Sequence, residues 1–340
     1  MRYNANPFYW DRQNVRSKTI EAIDIEYRNT AFMLYEQNLV DMMMDLVMDY
    51  TPDLVQQTQT GQRNDIHTMP SFGTYYLVCN CRERFNDGQP NPLADPRVRR
   101  ALSHAVNRQA LVDHVVRLGN PVATTYIPRD QIPNYESPQG LPYNPDLARR
   151  ELADAGYPQG RGMPVIEYLY NTGANQEPVA QAIERMWETE LGIQVQLVGK
   201  ETKTFADDLT AHRFMVARSG WFGDYVDPTT FLDLCQSQNG HNTAGFNDTR
   251  YDNLLADAAQ CRDPQKRLAI LSQAETYLVE RQLPVIPLYT YVMVYAWRPN
   301  ITGLHPNPRN WFPTQYIGKT KPADKNTTLT SIESPVGGSS

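Results

Sequence analysis

The stretch 166–198 reads IEYLYNTGANQEPVAQAIERMWETELGIQVQLV and carries the clearest signal of the fold class. Residues 166–170 favour a strand, and residues 178–191 carry apolar side chains at helical spacing. Gly192 is placed to end that helix, and residues 193–198 form a second candidate strand. A strand, a helix and a strand within about thirty residues form a βαβ unit. The stretch therefore predicts an α/β fold with a partly parallel sheet.

Elements of the same kind are predicted on both sides of this unit. The segment 71–81 is dense in Tyr, Leu and Val and predicts a buried strand. Residues 96–118 predict one helix, which Pro96 is placed to start and Gly119 to stop. The other predicted elements are a proline-rich crossing at 121–145, helices at 145–155, 203–211, 251–259 and 264–280, and a strand at 285–296.

Length, composition and charge exclude several classes of protein. The 340 residues suggest about two or three domains, and 41% hydrophobic with 10% aromatic residues is typical of a folded chain. A net charge of −6 gives no reason to expect nucleic acid or anionic lipid as a partner. The apolar segment 283–297 is interrupted by Pro284 and Pro287 and is too short for a membrane helix. Residues 1–10 lack the pattern of a secretory signal, so we predict no export signal in this chain.

The sequence lacks the common motifs of cofactor and metal sites. It contains neither of the glycine-rich phosphate loops, no H-E-x-x-H and no G-x-S-x-G. The six histidines are scattered without metal-like spacing. We therefore expect no cofactor and no metal.

The four cysteines leave two questions open. Cys79 and Cys81 lie two apart in a predicted strand and would face the same side, either as a weak metal-binding pair or as two buried thiols. Cys235 and Cys261 are candidates for a disulfide, with two free thiols as the alternative.

The stretch 214–232, FMVARSGWFGDYVDPTTFL, combines aromatic, glycine and acidic residues at the exit of a predicted strand. Gly220 and Gly223 permit a sharp turn, and Asp224 lies on it with Trp221 and Tyr225 nearby. A carboxylate between aromatic rings can bind a cationic group of a ligand. The alternative is that Asp224 only caps the turn.

An ordered series of motifs resembles the extracytoplasmic solute-binding proteins of family 5, the oligopeptide- and dipeptide-binding receptors of ABC importers. The resemblance covers roughly residues 5–318. The motifs are NPFYWD (6–11), VDMMMDLV (40–47), YYLVCN (75–80), ADPRVRRALSHAVNRQALV (94–112), YNPDLARRELADAGYPQG (143–160), LYNTG (169–173), the 217–232 stretch, the loop and helix at 242–252, and LPVIPLYTYV (283–292).

The resemblance implies an α/β fold of the periplasmic-binding-protein-like type II class. One α/β lobe would be nearly complete and the other partial. Residues 1–95 would be the remaining part of the first lobe, 96–295 the second lobe with the ligand-contact motif, and 296–318 return strands to the first lobe. Residues 319–340 have a composition that predicts a disordered tail.

The resemblance also implies roles for residues of the 217–232 stretch. Asp224 matches the aspartate that receives the α-amino group of a peptide. Trp221 would line the cleft, and Arg218 is similar to the arginine of the preceding strand. Tyr225 and Phe222 complete the candidate ligand-binding set. Some members carry a disulfide at the positions of Gly73 and Phe222, which cannot form here.

The implied function is that of a non-enzymatic, peptide-binding component of an ABC-type import system. Its partners would be a peptide ligand and the permease subunits, and its location would be periplasmic, or membrane-associated outside the cytoplasm. Family members carry a long additional part before NPFYWD. One alternative is therefore a truncated or split-gene chain that binds only with a separate N-terminal chain. The other alternative is a hydrolase that uses Asp224 and Asp227 as paired carboxylates.

Overall fold

The computed structural model describes residues 1–173, 176–305, 307, 309 and 311–320. The strands are β1 (Arg2–Asn4), β2 (Thr19–Glu21), β3 (Met42–Met43), β4 (Ile66–Cys79), β5 (Ile166–Asn171), β6 (Val195–Lys200), β7 (Val216–Phe222), β8 (Val285–Trp297), β9 (Ile301–Thr302) and β10 (Gly318–Lys319). The α-helices are α1 (Arg28–Glu36), α2 (Thr51–Gln59), α3 (Pro96–His104), α4 (Arg108–Leu111), α5 (Pro145–Asp154), α6 (Gln176–Leu191), α7 (Thr202–Thr210), α8 (Thr229–Leu232), α9 (Thr249–Gln260) and α10 (Pro264–Thr276).

A six-stranded mixed sheet forms the centre of the molecule, in the order β3-β8-β4-β7-β5-β6. Strands β5 and β6 pair in parallel from Ile166 opposite Val195 to Asn171 opposite Lys200, with α6 between them in the chain. The predicted βαβ unit is thus confirmed. Strand β7 is parallel to β5 and antiparallel to β4.

The two longest strands, β4 and β8, pair with each other in the middle of the sheet. Their ladder runs from Ile66 opposite Ala296 to Val78 opposite Val285, so β4 begins five residues before the predicted strand. The register shifts twice along this ladder. Both shifts lie near a proline, Pro70 or Pro287, which lacks the amide hydrogen that a ladder needs.

Buried apolar side chains form four clusters along these two strands. Where β4 runs beside β7, Leu77 points into one cluster, and Tyr76 points into a second on the opposite face. At the other end of the ladder, Ile66 belongs to a third cluster and Met69 to a fourth. β4 and β8 therefore contribute to all four of these clusters in the described part of the chain.

The prediction of one continuous helix at 96–118 is wrong, because the helix is interrupted between His104 and Arg108. Helix α3 ends at His104, and α4 begins after Asn107, whose side chain accepts a hydrogen bond from the Ala110 amide at 3.0 Å. The break turns Arg108 inward, where its guanidinium donates to the Pro287 carbonyl oxygen at 2.7 Å. A short π-helix, Val112–Val116, then ends the segment.

The predicted disordered tail starts too early. Lys319 belongs to β10, which pairs antiparallel with β9 opposite Ile301. The rest of that prediction, residues 321–340, lies outside the described residues.

Candidate ligand-binding site

Strand β7 delivers the 217–232 stretch to the middle of the sheet. It pairs with β4 from Cys79 opposite Val216 to Gly73 opposite Phe222. The chain then turns sharply, and the Gly223 amide donates to the Phe72 carbonyl oxygen at 2.7 Å. The turn that carries Asp224 is therefore anchored to the central strand.

Asp224 is exposed, and its carboxylate makes no hydrogen bond or ion pair with any described residue. Its backbone amide donates to the Thr230 hydroxyl at 3.0 Å, which fixes the backbone but leaves the carboxylate unused. The alternative that Asp224 caps the turn is therefore wrong. The carboxylate is available to a cationic group.

Asp227, three residues later, holds the turn instead. One of its oxygens accepts hydrogen bonds from the Thr229 amide at 3.1 Å and the Thr229 hydroxyl at 2.8 Å. Arg267 donates to both carboxylate oxygens, at 2.7 and 2.9 Å. Burial opposes ionisation of Asp227, but these donors outweigh it and lower its pKa. Asp227 is thus a paired anion, which argues against the paired-carboxylate hydrolase.

Arg218 lies on β7 and contacts the side-chain amide of Gln176 and the ring of Tyr75. It forms no ion pair with a carboxylate among the described residues. Its Nε donates to Gln176 Oε1 at 3.1 Å, and its guanidinium carbon lies 5.5 Å from the centre of the Tyr75 ring. Its terminal nitrogens donate to no described residue. Arg218 can therefore donate hydrogen bonds to oxygens of a ligand.

Tyrosines from β4 and β8 line the surface around Arg218. Tyr75 stacks on Tyr289 with ring centres 4.7 Å apart and donates its hydroxyl to Gln176 Oε1 at 2.9 Å. Burial raises the pKa of Tyr75 to about 12, so its hydroxyl remains a donor at neutral pH. Tyr291 lies 6.0 Å from Tyr75 and approaches it edge-on.

The other predicted site residues take different orientations. Trp221 is half-buried against the cluster that holds Tyr76, and its indole nitrogen is buried without a partner among the described residues. Tyr225 is exposed, with its hydroxyl 3.3 Å from the Thr229 hydroxyl. Phe222 is exposed and stacks on Tyr291. That any of these side chains contacts a ligand stays a prediction.

The sequence analysis missed Gln176 and the tyrosines of the site. Tyr289 and Tyr291 are two residues apart in a predicted strand, so the sequence alone could have predicted that both lie on one face of the sheet. Gln176 follows the βα loop and gives no signal of its own, because its partners Tyr75 and Arg218 are 101 and 42 residues away.

Cys79 and Cys81 do not face the same side, so that prediction is wrong. Strand β4 ends at Cys79, which packs in the cluster of Leu77, whereas Cys81 packs against the cluster of Tyr76. The strand ends here because the Asn80 side chain turns inward and donates to the Phe214 carbonyl oxygen at 3.0 Å.

The proposed disulfide between Cys235 and Cys261 is not formed, and both thiols are free. Cys235 is buried in the apolar cluster that contains Tyr76. Burial raises the pKa of its thiol, which keeps it protonated. Cys261 follows the end of α9, and its sulfur lies 3.5 Å from the Asp263 carbonyl oxygen.

The sheet order, the antiparallel pairing of β4 with β7 and the 217–232 turn can be compared with known families. The model of the bacterial extracellular solute-binding proteins, family 5 Middle, matches residues 1–243. This chain belongs to family 5 of the bacterial extracellular solute-binding proteins. Members of this family bind solutes, and the family assignment made from the motifs is confirmed.

Characterised relatives of this family 5 chain include peptide-binding proteins. The periplasmic murein peptide-binding protein MppA of Escherichia coli (strain K12) is 29% identical over 326 residues, which cover 92% of this chain and 58% of MppA. The periplasmic oligopeptide-binding protein OppA of the same strain is 29% identical over 322 residues, which cover 92% of this chain and 57% of OppA.

Solved structures confirm the periplasmic-binding-protein-like fold class. The unliganded open form of MppA superposes with a TM-score of 0.77 at 29% identity, over 92% of this chain and 59% of that structure. The oligopeptide-binding protein OppAIV of Borrelia burgdorferi gives 0.73 at 28% identity, over 92% and 60%. This chain thus spans about three fifths of the length of these relatives. Among the described residues, no helix combines the length and apolar character needed to cross a membrane.

Proposed function

We propose that this chain is the substrate-binding component of an ABC-type peptide importer and is not an enzyme. The observation that carries the proposal is the exposed Asp224 carboxylate, which has no partner among the described residues, on the turn that follows β7. Arg218, on the same strand, has terminal donors that no described residue uses. A peptide offers a complementary pair of groups, an α-ammonium for Asp224 and backbone or terminal oxygens for Arg218.

The energetics of such a contact depend on how far water is excluded. An ion pair open to solvent contributes about 1 kcal/mol or less. Removing one partner of a desolvated pair costs about 2–5 kcal/mol. We infer that tight peptide binding needs a second wall that covers Asp224.

In a two-lobed molecule, the lobe opposite Asp224 would be this second wall. We propose that residues 1–95 and 296–318 form one lobe and that residues 96–295 form the other, with β4 and β8 crossing between them. Two lobes are supported by the separate clusters at the two ends of the β4·β8 ladder. The end of β4 from Phe72 to Cys79 packs with residues of 96–295, and Val294 of β8 packs with residues of 1–95, so each of these strands changes lobe along its length. A peptide would then lie in the cleft between the lobes.

A second form of the proposal is that the chain binds peptide only together with a separate N-terminal chain. This chain spans 58% of MppA and 57% of OppA, and in this form the remaining part would be supplied as a separate polypeptide. The permease subunits of an importer are the other proposed partners. We place the protein outside the cytoplasm, in the periplasm or at the membrane, because MppA and OppA are named as periplasmic proteins.

The test compares peptides with free and acetylated amino groups on three proteins by titration calorimetry. The proteins are the full parent chain, Asp224→Asn and the control Asp207→Asn, which removes an exposed carboxylate of α7. We expect the parent and the control to prefer the free amine, and Asp224→Asn to bind it at least ten-fold more weakly. Equal affinity of parent and Asp224→Asn would refute the role of Asp224.

The same titration separates the two forms of the proposal. Binding by the chain alone supports the first form. Binding that appears only after the N-terminal part of a relative is added as a separate polypeptide supports the second. Absence of peptide binding in both arrangements would overturn the proposed function.

A further inference from the structure

Large apolar side chains are exposed on both sides of Asp224. Phe222 is 50% exposed, Tyr225 47% and Val226 45%. These three side chains lie within five residues and flank in sequence a carboxylate that has no partner among the described residues; we call them the apolar patch. The patch and the charge together fit a ligand that carries a cationic group next to a large apolar group.

The ring of Phe222 is held in a defined position at the edge of this patch. It stacks on Tyr291 with ring centres 4.5 Å apart and an angle of 18° between the planes. Tyr291 is itself half-buried beside Tyr75 and Tyr289. One face of the pair is thus supported, and the exposed part of Phe222 is available for contact.

Two glycines make room for these rings. Gly73 lies directly opposite Phe222 in the β4·β7 ladder, and a Cβ atom on it would come within 2.6 Å of Phe222 Cδ1. A Cβ atom on Gly220 would come within 2.2 Å of the Tyr291 hydroxyl oxygen. Any other residue at either position would displace a ring. The placement of the Phe222–Tyr291 pair therefore depends on glycine at both positions.

The distance between Phe222 and Asp224 limits which part of a peptide can reach the rings. Two residues of extended chain span at most about 7 Å. A bound peptide in extended form rises about 3.3 Å per residue. A peptide that has its amine on Asp224 and runs toward Phe222 would therefore place the side chain of its first or second residue near that ring.

We propose that the Phe222–Tyr291 pair determines specificity and selects peptides with an aromatic side chain in the first or second position. The inference rests on the proposed peptide-binding function and names its preferred substrate class. Stacking of one further ring would raise affinity by up to about ten-fold over an alanine at the same position.

The experiment measures the affinities of Phe-Ala-Ala, Ala-Phe-Ala and Ala-Ala-Ala for the full chain, with the N-terminal part of a relative added if binding requires it. The parent should bind one of the Phe peptides about ten-fold more tightly than Ala-Ala-Ala. Phe222→Leu should bind the preferred Phe peptide no more than about two-fold more tightly than Ala-Ala-Ala. Tyr291→Phe keeps both rings and should keep the preference.

The outcomes separate this inference from the function on which it rests. If the parent binds all three peptides equally, and Asp224→Asn weakens all three, only the aromatic preference is refuted. If Phe222→Leu weakens all three peptides alike, the ring has a structural role or contacts the second wall, and the inference also fails. If the parent binds no peptide, the proposed function fails and this inference fails with it.

Discussion

Arg108 and Arg218 both lack a carboxylate partner among the described residues, and they differ in what takes its place. Arg108 is 4% exposed and donates to the carbonyl oxygens of Pro287 and Ser103, at 2.7 and 3.1 Å, and to the Ser103 hydroxyl at 2.8 Å. Burial lowers its pKa to about 10, so it stays charged at neutral pH. Arg218 is half-buried, and among the described residues its side chain makes one hydrogen bond, to Gln176.

The number of hydrogen bonds that each side chain makes distinguishes charged residues that stabilise the fold from charged residues that can bind a ligand. The donors of Arg108 are satisfied by the Pro287 carbonyl oxygen of β8 and by two oxygens of Ser103 in α3, so its removal would leave buried oxygens with fewer donors. The terminal donors of Arg218 have no described partner, so its removal leaves the fold intact. The same contrast holds between the two aspartates of the turn, since Asp227 is paired and Asp224 is not.

The largest effect on stability is expected from Arg108→Met. Loss of the guanidinium removes its hydrogen bonds to the Pro287 carbonyl oxygen and the Ser103 hydroxyl, and one of the donors to the Ser103 carbonyl oxygen, which should lower the free energy of unfolding by about 3 kcal/mol or more. The measurement is urea denaturation followed by circular dichroism. Arg150→Met removes an exposed arginine that pairs with no described residue, and it should change the free energy of unfolding by less than about 0.5 kcal/mol. Equal midpoints for the two variants would contradict the assigned role of Arg108.

A smaller, pH-dependent effect on stability is expected from Glu275, a fully buried carboxylate whose two oxygens both accept hydrogen bonds. It accepts hydrogen bonds from the Ile127 amide at 2.8 Å and the Tyr135 hydroxyl at 2.7 Å. Burial raises its pKa from 4.5 to about 7 despite these donors. The folded state therefore holds a proton that the unfolded state releases, and stability is lost as the pH rises from about 5 to 7.

Glu275→Gln tests this sign, because the amide cannot titrate. The stability difference between parent and variant should shift in favour of the variant by roughly 2 kcal/mol between pH 5 and pH 7. We compare parent and variant because burial lowers the pKa of His67 and His104, and these histidines raise stability with pH in both proteins. Their contribution cancels in the difference between the two proteins. A pH-independent difference in denaturation midpoint would refute the raised pKa.

The smallest effect on stability is expected from Arg218→Met. Gln176 Oε1 keeps its bond from the Tyr75 hydroxyl, so no buried acceptor is left unpaired. Loss of the contact with the Tyr75 ring should cost less than about 1 kcal/mol, whereas peptide affinity should fall. Denaturation and calorimetry on one protein sample measure both. A loss of stability as large as that of Arg108→Met would remove the distinction between the two arginines.

Local patterns in the sequence were sufficient to predict the fold class and the position of the turn that carries Asp224. The βαβ unit lies within one stretch, and its glycine and apolar spacing predicted both strands and α6. Asp224 could be singled out because glycine, aromatic and acidic residues meet within a few positions.

Distant partners determine what the sequence did not predict. The break between α3 and α4 depends on Arg108 reaching Pro287, which is 179 residues away. The pairing of Asp227 depends on Arg267, 40 residues later, and nothing in the turn itself marks which aspartate is paired. The end of β4 is likewise fixed by Asn80 contacting Phe214, 134 residues away.

The pairing of β4 with β8 sets the order in which the sheet can assemble during synthesis. More than 200 residues separate the end of β4 at Cys79 from the start of β8 at Val285. At about 5–20 residues per second, β4 waits roughly 10–40 s on the ribosome before its central partner is made. A product that stops before Val285 would lack an interior strand of the sheet, whereas one that stops after Trp297 would contain all six strands.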